Sequence, residues 1–185
     1  MTRALLDDHL LRDFLAADVG AALGRILRDQ EPATTNLYLY RLSKSVVSAR
    51  GGALTGSWLP ERRRDLGRAL LAVPADVEVV PMQLLTYRMA EISDAHRVST
   101  LGAEAVAAAE HLDATLCVWD GDDGPAIRSA AAGVGARYVT VARRPLRVHA
   151  AGERGRRSGR DRQRVRMPNS PPSVSDRGAD RRPPR

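Results

Sequence analysis

The chain has 185 residues and a formal charge of +7, from 29 Lys+Arg against 22 Asp+Glu. Residues 151–185 hold 11 Arg and 4 acids, so residues 1–150 carry no net charge and the basic pI belongs to the tail. The single cysteine, Cys117, excludes an intrachain disulfide framework and a multi-Cys zinc site, and no apolar run approaches the roughly 18 residues of a membrane span.

Acids at Asp7 and Asp8 precede any long apolar run, so a secretory signal is not expected and the expected compartment is cytoplasmic. Ala4-Leu5-Leu6 reads as a short strand leading into a helix from His9 to about Ala17. Residues 20–28 form a second short helical pattern, with Leu23, Ile26 and Leu27 inward. Pro32-Ala33-Thr34-Thr35 is a break, and Thr34 or Thr35 can cap the next helix. Leu37, Tyr40, Leu42, Val46 and Val47 recur at helical spacing from Asn36 to Ala49, and Gly51-Gly52 ends that helix. Pro60 opens a helix to Leu71, closed by Pro74. Val77 to Val80 is β-branched and predicts a strand. A helix is predicted from Gln83 to Arg97, and Ser99 or Thr100 caps an alanine-rich helix to Leu112. Thr115 to Trp119 predicts a buried strand ending in Asp120-Gly121-Asp122-Asp123-Gly124. A helix from Pro125 to about Ala132 and a strand from Tyr138 to Val141 complete a body over residues 1–150.

Residues 151–185 have few apolar side chains and five prolines, a composition that predicts a disordered basic tail. Such an arm attracts nucleic acid when it meets phosphates, although composition favours an inert extension. Strands alternating with helices predict an α/β fold, a three-layer α/β/α sandwich with a mainly parallel central sheet. Sites in such sheets lie outside the carboxyl ends of the strands. Two predicted strands end there in acids, one at Asp7-Asp8 and one at Asp120 to Asp123. Carboxylates gathered at strand ends repel one another unless a divalent cation screens them, and Mg²⁺ or Mn²⁺ takes such hard oxygen ligands. Glu104, in the first turn after the Ser99-Thr100 cap, offers a third acid. The same residues also read as a solvated turn, an ordinary first-turn acid and, for Asp8, a helix cap.

The body resembles the PIN domain, a small metal-dependent nuclease fold found among bacterial toxin–antitoxin toxins. Leu5-Leu6-Asp7-Asp8-His9-Leu10-Leu11 matches the opening strand and its acid, and places Asp7 on the first family acid. Glu104-Ala105-Val106-Ala107-Ala108-Ala109 matches the acid that opens an alanine-rich helix, with Glu for the usual Asp. Asp122 sits at the family's distance from Glu104; Asp120 follows the strand end more directly, with Asp123 then the accessory acid. Arg41 stands where the family places a Glu, and the family's Thr or Ser before the last acid is missing between Trp119 and Gly121.

The resemblance implies a Mg²⁺- (or Mn²⁺-) dependent ribonuclease that hydrolyses RNA phosphodiesters with water as nucleophile. It implies Asp7, Glu104 and Asp122 as catalytic residues, and Asp7, Glu104, Asp120 and Asp122 as metal ligands. As the toxin of a type II pair it would have an antitoxin protein over the acidic pocket, and it would form a homodimer. Arg41 removes one ligand and adds positive charge, or pairs with Asp7 and holds the site without metal. The alternative is therefore a catalytically degenerate PIN-like domain that binds RNA or a protein. A third option is another small α/β domain whose strand-end acids serve other metal chemistry, such as phosphoryl transfer.

His9, His96, His111 and His149 show no ligand spacing and read as surface or cap residues, with no role assigned beyond a place for His9, beside Asp7, at the lining of the site. Arg62-Arg63-Arg64 reads as a solvated helix face and Trp58 and Trp119 as packing residues. Gly51-Gly52 lacks the context of a phosphate loop, and Cys117 is expected to be buried and inert.

Overall fold

The computed structural model describes residues 2–48 and 50–142. The expected boundary at residue 150, the tail from 151 to 185 and His149 lie outside the described residues. Five strands form one sheet: β1 (Thr2–Leu6), β2 (Gln30–Thr35), β3 (Glu78–Val80), β4 (Thr115–Trp119) and β5 (Arg137–Val141). Their order is β3-β2-β1-β4-β5, and every pairing is parallel. The helices are α1 (Asp8–Leu15), α2 (Ala21–Ile26), α3 (Asn36–Val47), α4 (Gly52–Thr55), α5 (Pro60–Leu71), α6 (Thr86–His96), α7 (Thr100–His111) and α8 (Pro125–Gly133).

The period of two along each strand builds the layers. Leu5 of β1 and Leu116 and Val118 of β4 join an apolar cluster with α6, α7 and α8. Ala4, Leu6 and Cys117 point the other way, into a second cluster with Leu10, Leu11, Leu42 and Leu66. Leu5, Leu6, Leu11, Leu42 and Leu116 are fully buried. Each such leucine contributes on the order of 2 kcal/mol of apolar burial. The fold is therefore the expected three-layer α/β/α sandwich, with the sheet wholly parallel.

Residues 32–35, expected as a break, are the second half of β2. Pro32 lies opposite Ala4, while β3 pairs only with Ala33 to Thr35. At Pro32 the strand thus has a neighbour on one side alone, where a residue without N–H is tolerated. Gly51-Gly52 does not simply end a helix; it starts the short α4. The helix expected from Gln83 begins instead as a 3₁₀ turn, Met82–Leu84, before α6.

The winding direction sets where ligands reach the sheet. From β1 the chain winds through β2 to β3, and then crosses back to β4 and β5 on the far side. This reversal opens a crevice between the carboxyl ends of β1 and β4, the topological switch point. The register brings Leu6 level with Cys117, and the Asp7 N–H donates to the Cys117 carbonyl at 3.2 Å. Among the described residues no helix is long and apolar enough to cross a membrane.

Candidate metal centre

Asp7 is the first residue in the crevice, and the backbone consumes its carboxylate. It is the N-cap of α1: Oδ1 accepts from the Leu10 N–H at 2.8 Å, and Oδ2 accepts from the Trp119 N–H at 2.5 Å. One side chain thereby caps a helix and ties β1 to β4. Burial pushes its pKa up to about 7, helped by the neighbouring Asp8 and opposed by the two N–H donors.

Glu104 is fully buried in α7 and faces the start of α3. Its two oxygens accept from the Leu37 N–H at 3.0 and 3.3 Å. Burial raises its pKa, against hydrogen bonds from the Thr35 hydroxyl and the Leu37 N–H. Asp120 is exposed, and its N–H donates to the Val141 carbonyl at 3.1 Å. Asp123 accepts from the Tyr138 hydroxyl at 2.8 Å and pairs with Arg128, which together hold its pKa low.

Asp122 returns to the crevice because its N–H donates to the Trp119 carbonyl at 2.9 Å and closes the turn. There its Oδ2 lies 2.9 Å from His9 Nδ1. Asp8 Oδ1 lies 3.4 Å from the same nitrogen. Among the described residues, one group of His, Cys, Asp and Glu side chains brings its ligand atoms within 4.8 Å of one another: Asp8, His9 and Asp122. Of the four acids expected as ligands, the structure brings Asp122 into this group. Asp7 lies beside it, while Glu104 and Asp120 lie outside it. The buried Tyr38 phenol is raised well above its usual pKa, first by burial and then by the charges of Asp7 and Asp8.

Asp8 has no exposed surface. Arg41 Nη1 stands 3.0 Å from its Oδ2, but off the hydrogen-bond direction, and neither oxygen receives a hydrogen bond. Arg41, for which pairing with Asp7 was one of two alternatives, pairs with Asp8. A buried carboxylate without hydrogen bonds is rare, and a bound cation relieves the deficit. The residues present thus fit a divalent ion at Asp8, His9 and Asp122.

Sequence reasoning did not place Asp8 in this group and gave His9 no more than a position at the lining of the site. An N-cap pattern is legible at this strand-to-helix junction, but it fits Asp7 and Asp8 alike; the cap expected at Asp8 is made by Asp7. Once Asp7 caps the helix, Asp8 and His9 are the side chains free to enter the crevice. Gly121 completes the arrangement, because a Cβ there would clash with the Trp119 ring. That ring packs against His9 at a tilt of 34°, with centroids 4.2 Å apart.

A groove of about 370 Å³ opens beside the group, lined by Tyr38, Arg41, Ser99, Gly102, Asp122 and Pro125. Helices α7 and α8 both begin in it, at the Ser99 and Gly124 caps. Their aligned peptide dipoles and Arg41 make one wall positive. No protein-family model and no curated protein matches the chain.

Proposed function

We propose that the chain is a PIN-like ribonuclease that hydrolyses RNA phosphodiester bonds with a divalent ion. The observation that carries the reading is the meeting of Asp8, His9 and Asp122 at the switch point, with the Asp8 carboxylate buried and without a hydrogen bond. The groove supports a phosphate-bearing substrate, because Arg41 and the starts of α7 and α8 attract an anion to the side of the acids. RNA rather than another phosphate ester, Mg²⁺ as the ion, the antitoxin and the homodimer are supported by the PIN resemblance alone.

A bound divalent ion supplies Lewis acidity toward a phosphoryl oxygen and a water of lowered pKa. Asp8, His9 and Asp122 would hold it. The Tyr38 phenol stays protonated and offers a donor from the groove wall. Arg41 orients the phosphate while it neutralises Asp8. The test is full-length chain with single-stranded RNA and Mn²⁺ or Mg²⁺. Cleavage is expected, is stopped by EDTA, and falls roughly a hundredfold in Asp122→Asn. Cleavage unchanged in both Asp122→Asn and Asp8→Asn rejects this site.

A second reading has one observation in its favour. Arg41 already neutralises Asp8, as a degenerate PIN-like domain that binds RNA or a protein without cutting would require. Calorimetry separates the two: a folded chain that gives no binding heat at millimolar Mn²⁺ or Mg²⁺ selects the second.

A further inference from the structure

The ligand atoms carry information about the ion itself. His9 Nδ1 is 2.9 Å from Asp122 Oδ2 and 3.4 Å from Asp8 Oδ1. An octahedral ion bonded at about 2.1 Å spaces neighbouring ligands about 3.0 Å apart. A tetrahedral one spaces them about 3.4 Å apart. Both distances from His9 Nδ1 match the spacing of neighbouring ligands on a single ion, and the ligand atoms of all three residues lie within 4.8 Å of one another. The imidazole is also held for the task. Its ring packs on Trp119, and the Trp119 N–H is fixed by Asp7. Asp8 contributes the independent sign of a ligand: Arg41 sits at Oδ2, while Oδ1 faces His9, fully buried and without a hydrogen bond.

Mg²⁺ favours oxygen ligands and keeps most of its waters, whereas imidazole suits Zn²⁺, Fe²⁺, Ni²⁺ and Cu²⁺ best, with Mn²⁺ at the weak end of the first-row series. We propose that Asp8, His9 and Asp122 form a transition-metal site, bonding the ion through His9 Nδ1 and one oxygen of each carboxylate and preferring Mn²⁺ or Zn²⁺ over Mg²⁺. The proposal rests on the metal-dependent reading of this site and gives it the identity of the ion. On binding, the Nδ1···Asp122 hydrogen bond is exchanged for a nitrogen–metal bond, with the imidazole proton carried on Nε2. Neither Asp7 nor Glu104 takes part, since their oxygens are held by backbone N–H groups.

The probe is Mn²⁺ alone, added to the full-length chain and followed by electron paramagnetic resonance. One ion per chain is expected to leave the free-ion signal, and about a hundredfold excess of Mg²⁺ leaves it bound. Pulsed spectra are expected to show ¹⁴N coupling from a directly bonded nitrogen. His9→Gln removes that coupling and weakens Mn²⁺ by roughly tenfold or more. Glu104→Gln changes neither. Wild-type Mn²⁺ bound without ¹⁴N coupling, or displaced by an equal concentration of Mg²⁺, overturns the proposal, and the wild-type spectrum decides even where His9→Gln does not fold. RNA cleavage supported by an ion without nitrogen coupling would leave the ribonuclease reading standing and sink this one. Nitrogen-bound Mn²⁺ in a chain that cuts no RNA would do the reverse.

Discussion

Arg41 faces a carboxylate that solvent does not reach, although its own side chain is 40% exposed. Breaking a buried ion pair from one side leaves the other charge uncompensated, at a cost of about 3–5 kcal/mol when both groups are buried. Water around Arg41 screens part of this, so roughly 1–3 kcal/mol is expected for Arg41→Met. In EDTA the variant should melt several degrees below wild type. Mn²⁺ should restore it by supplying the missing positive charge, and should bind more tightly than to wild type because a neighbouring cation is gone. Equal melting temperatures with and without metal would show that the ion does not sit at Asp8. Cys117 supports a simpler expectation. It is fully buried in β4, and burial, with Asp7 nearby, pushes its thiol up to about 12. Because the folded value exceeds the ordinary 9.0, the contribution to stability is complete below pH 9 and is lost as pH rises toward 12. A thiol reagent at pH 8 should label the unfolded chain fully and the native chain only as fast as it unfolds. Prompt native labelling would contradict the burial.

Glu104 couples two elements. Its carboxylate on α7 takes the Leu37 N–H at the start of α3, and Thr35 caps the same helix through an Oγ1 that accepts from the Tyr38 N–H at 3.4 Å. Glu104→Ala leaves a part-buried first-turn donor unpaired, a loss of about 1 kcal/mol. Glu104→Gln keeps an acceptor and should lose less. Hydrogen exchange should accelerate at Leu37 and Tyr38 in the alanine variant while the amides of β4 stay protected. Uniform acceleration would mean that Glu104 holds the whole core instead of this junction. The same elements show what the sequence discloses. Strands β1 and β4 were legible because Ala4-Leu5-Leu6 and Thr115 to Trp119 are continuous apolar or β-branched runs, the mark of a strand buried on both faces. Strand β2 was not, because Gln30-Glu31-Pro32 has neither alternation nor β propensity. Its pairing with β1 and β3, a tertiary effect, makes it a strand. The site was legible to the same depth. Acids at the ends of β1 and β4 identified the crevice, but successive residues at a helix start point about 100° apart. Which of Asp7 and Asp8 enters the crevice is decided by the cap hydrogen bond to Leu10, which composition and spacing leave open.

At the scale of the molecule, the described core and the net charge fall in different stretches of the sequence. Among the described residues, both apolar clusters, one on each face of the sheet, are built from side chains between Ala4 and Val141. The body over residues 1–150 is formally neutral, while residues 151–185 carry the whole +7. A chain ending at residue 150 should therefore keep the melting temperature of the full chain, and a fall of several degrees would show that the core is not closed within the described residues. Binding to single-stranded RNA should respond differently. Each phosphate neutralised by an arginine contributes a slope of about −0.7 to the dependence of log K on log salt. Removing 11 arginines and 4 acids takes away every net positive charge, so truncation should flatten that slope and weaken binding equally for unrelated RNA sequences. The cleavage proposed for the crevice between β1 and β4 should persist at saturating RNA. A slope that is the same before and after truncation would show that the arginines of 151–185 touch no phosphate, and would assign all RNA contact to the groove beside Arg41.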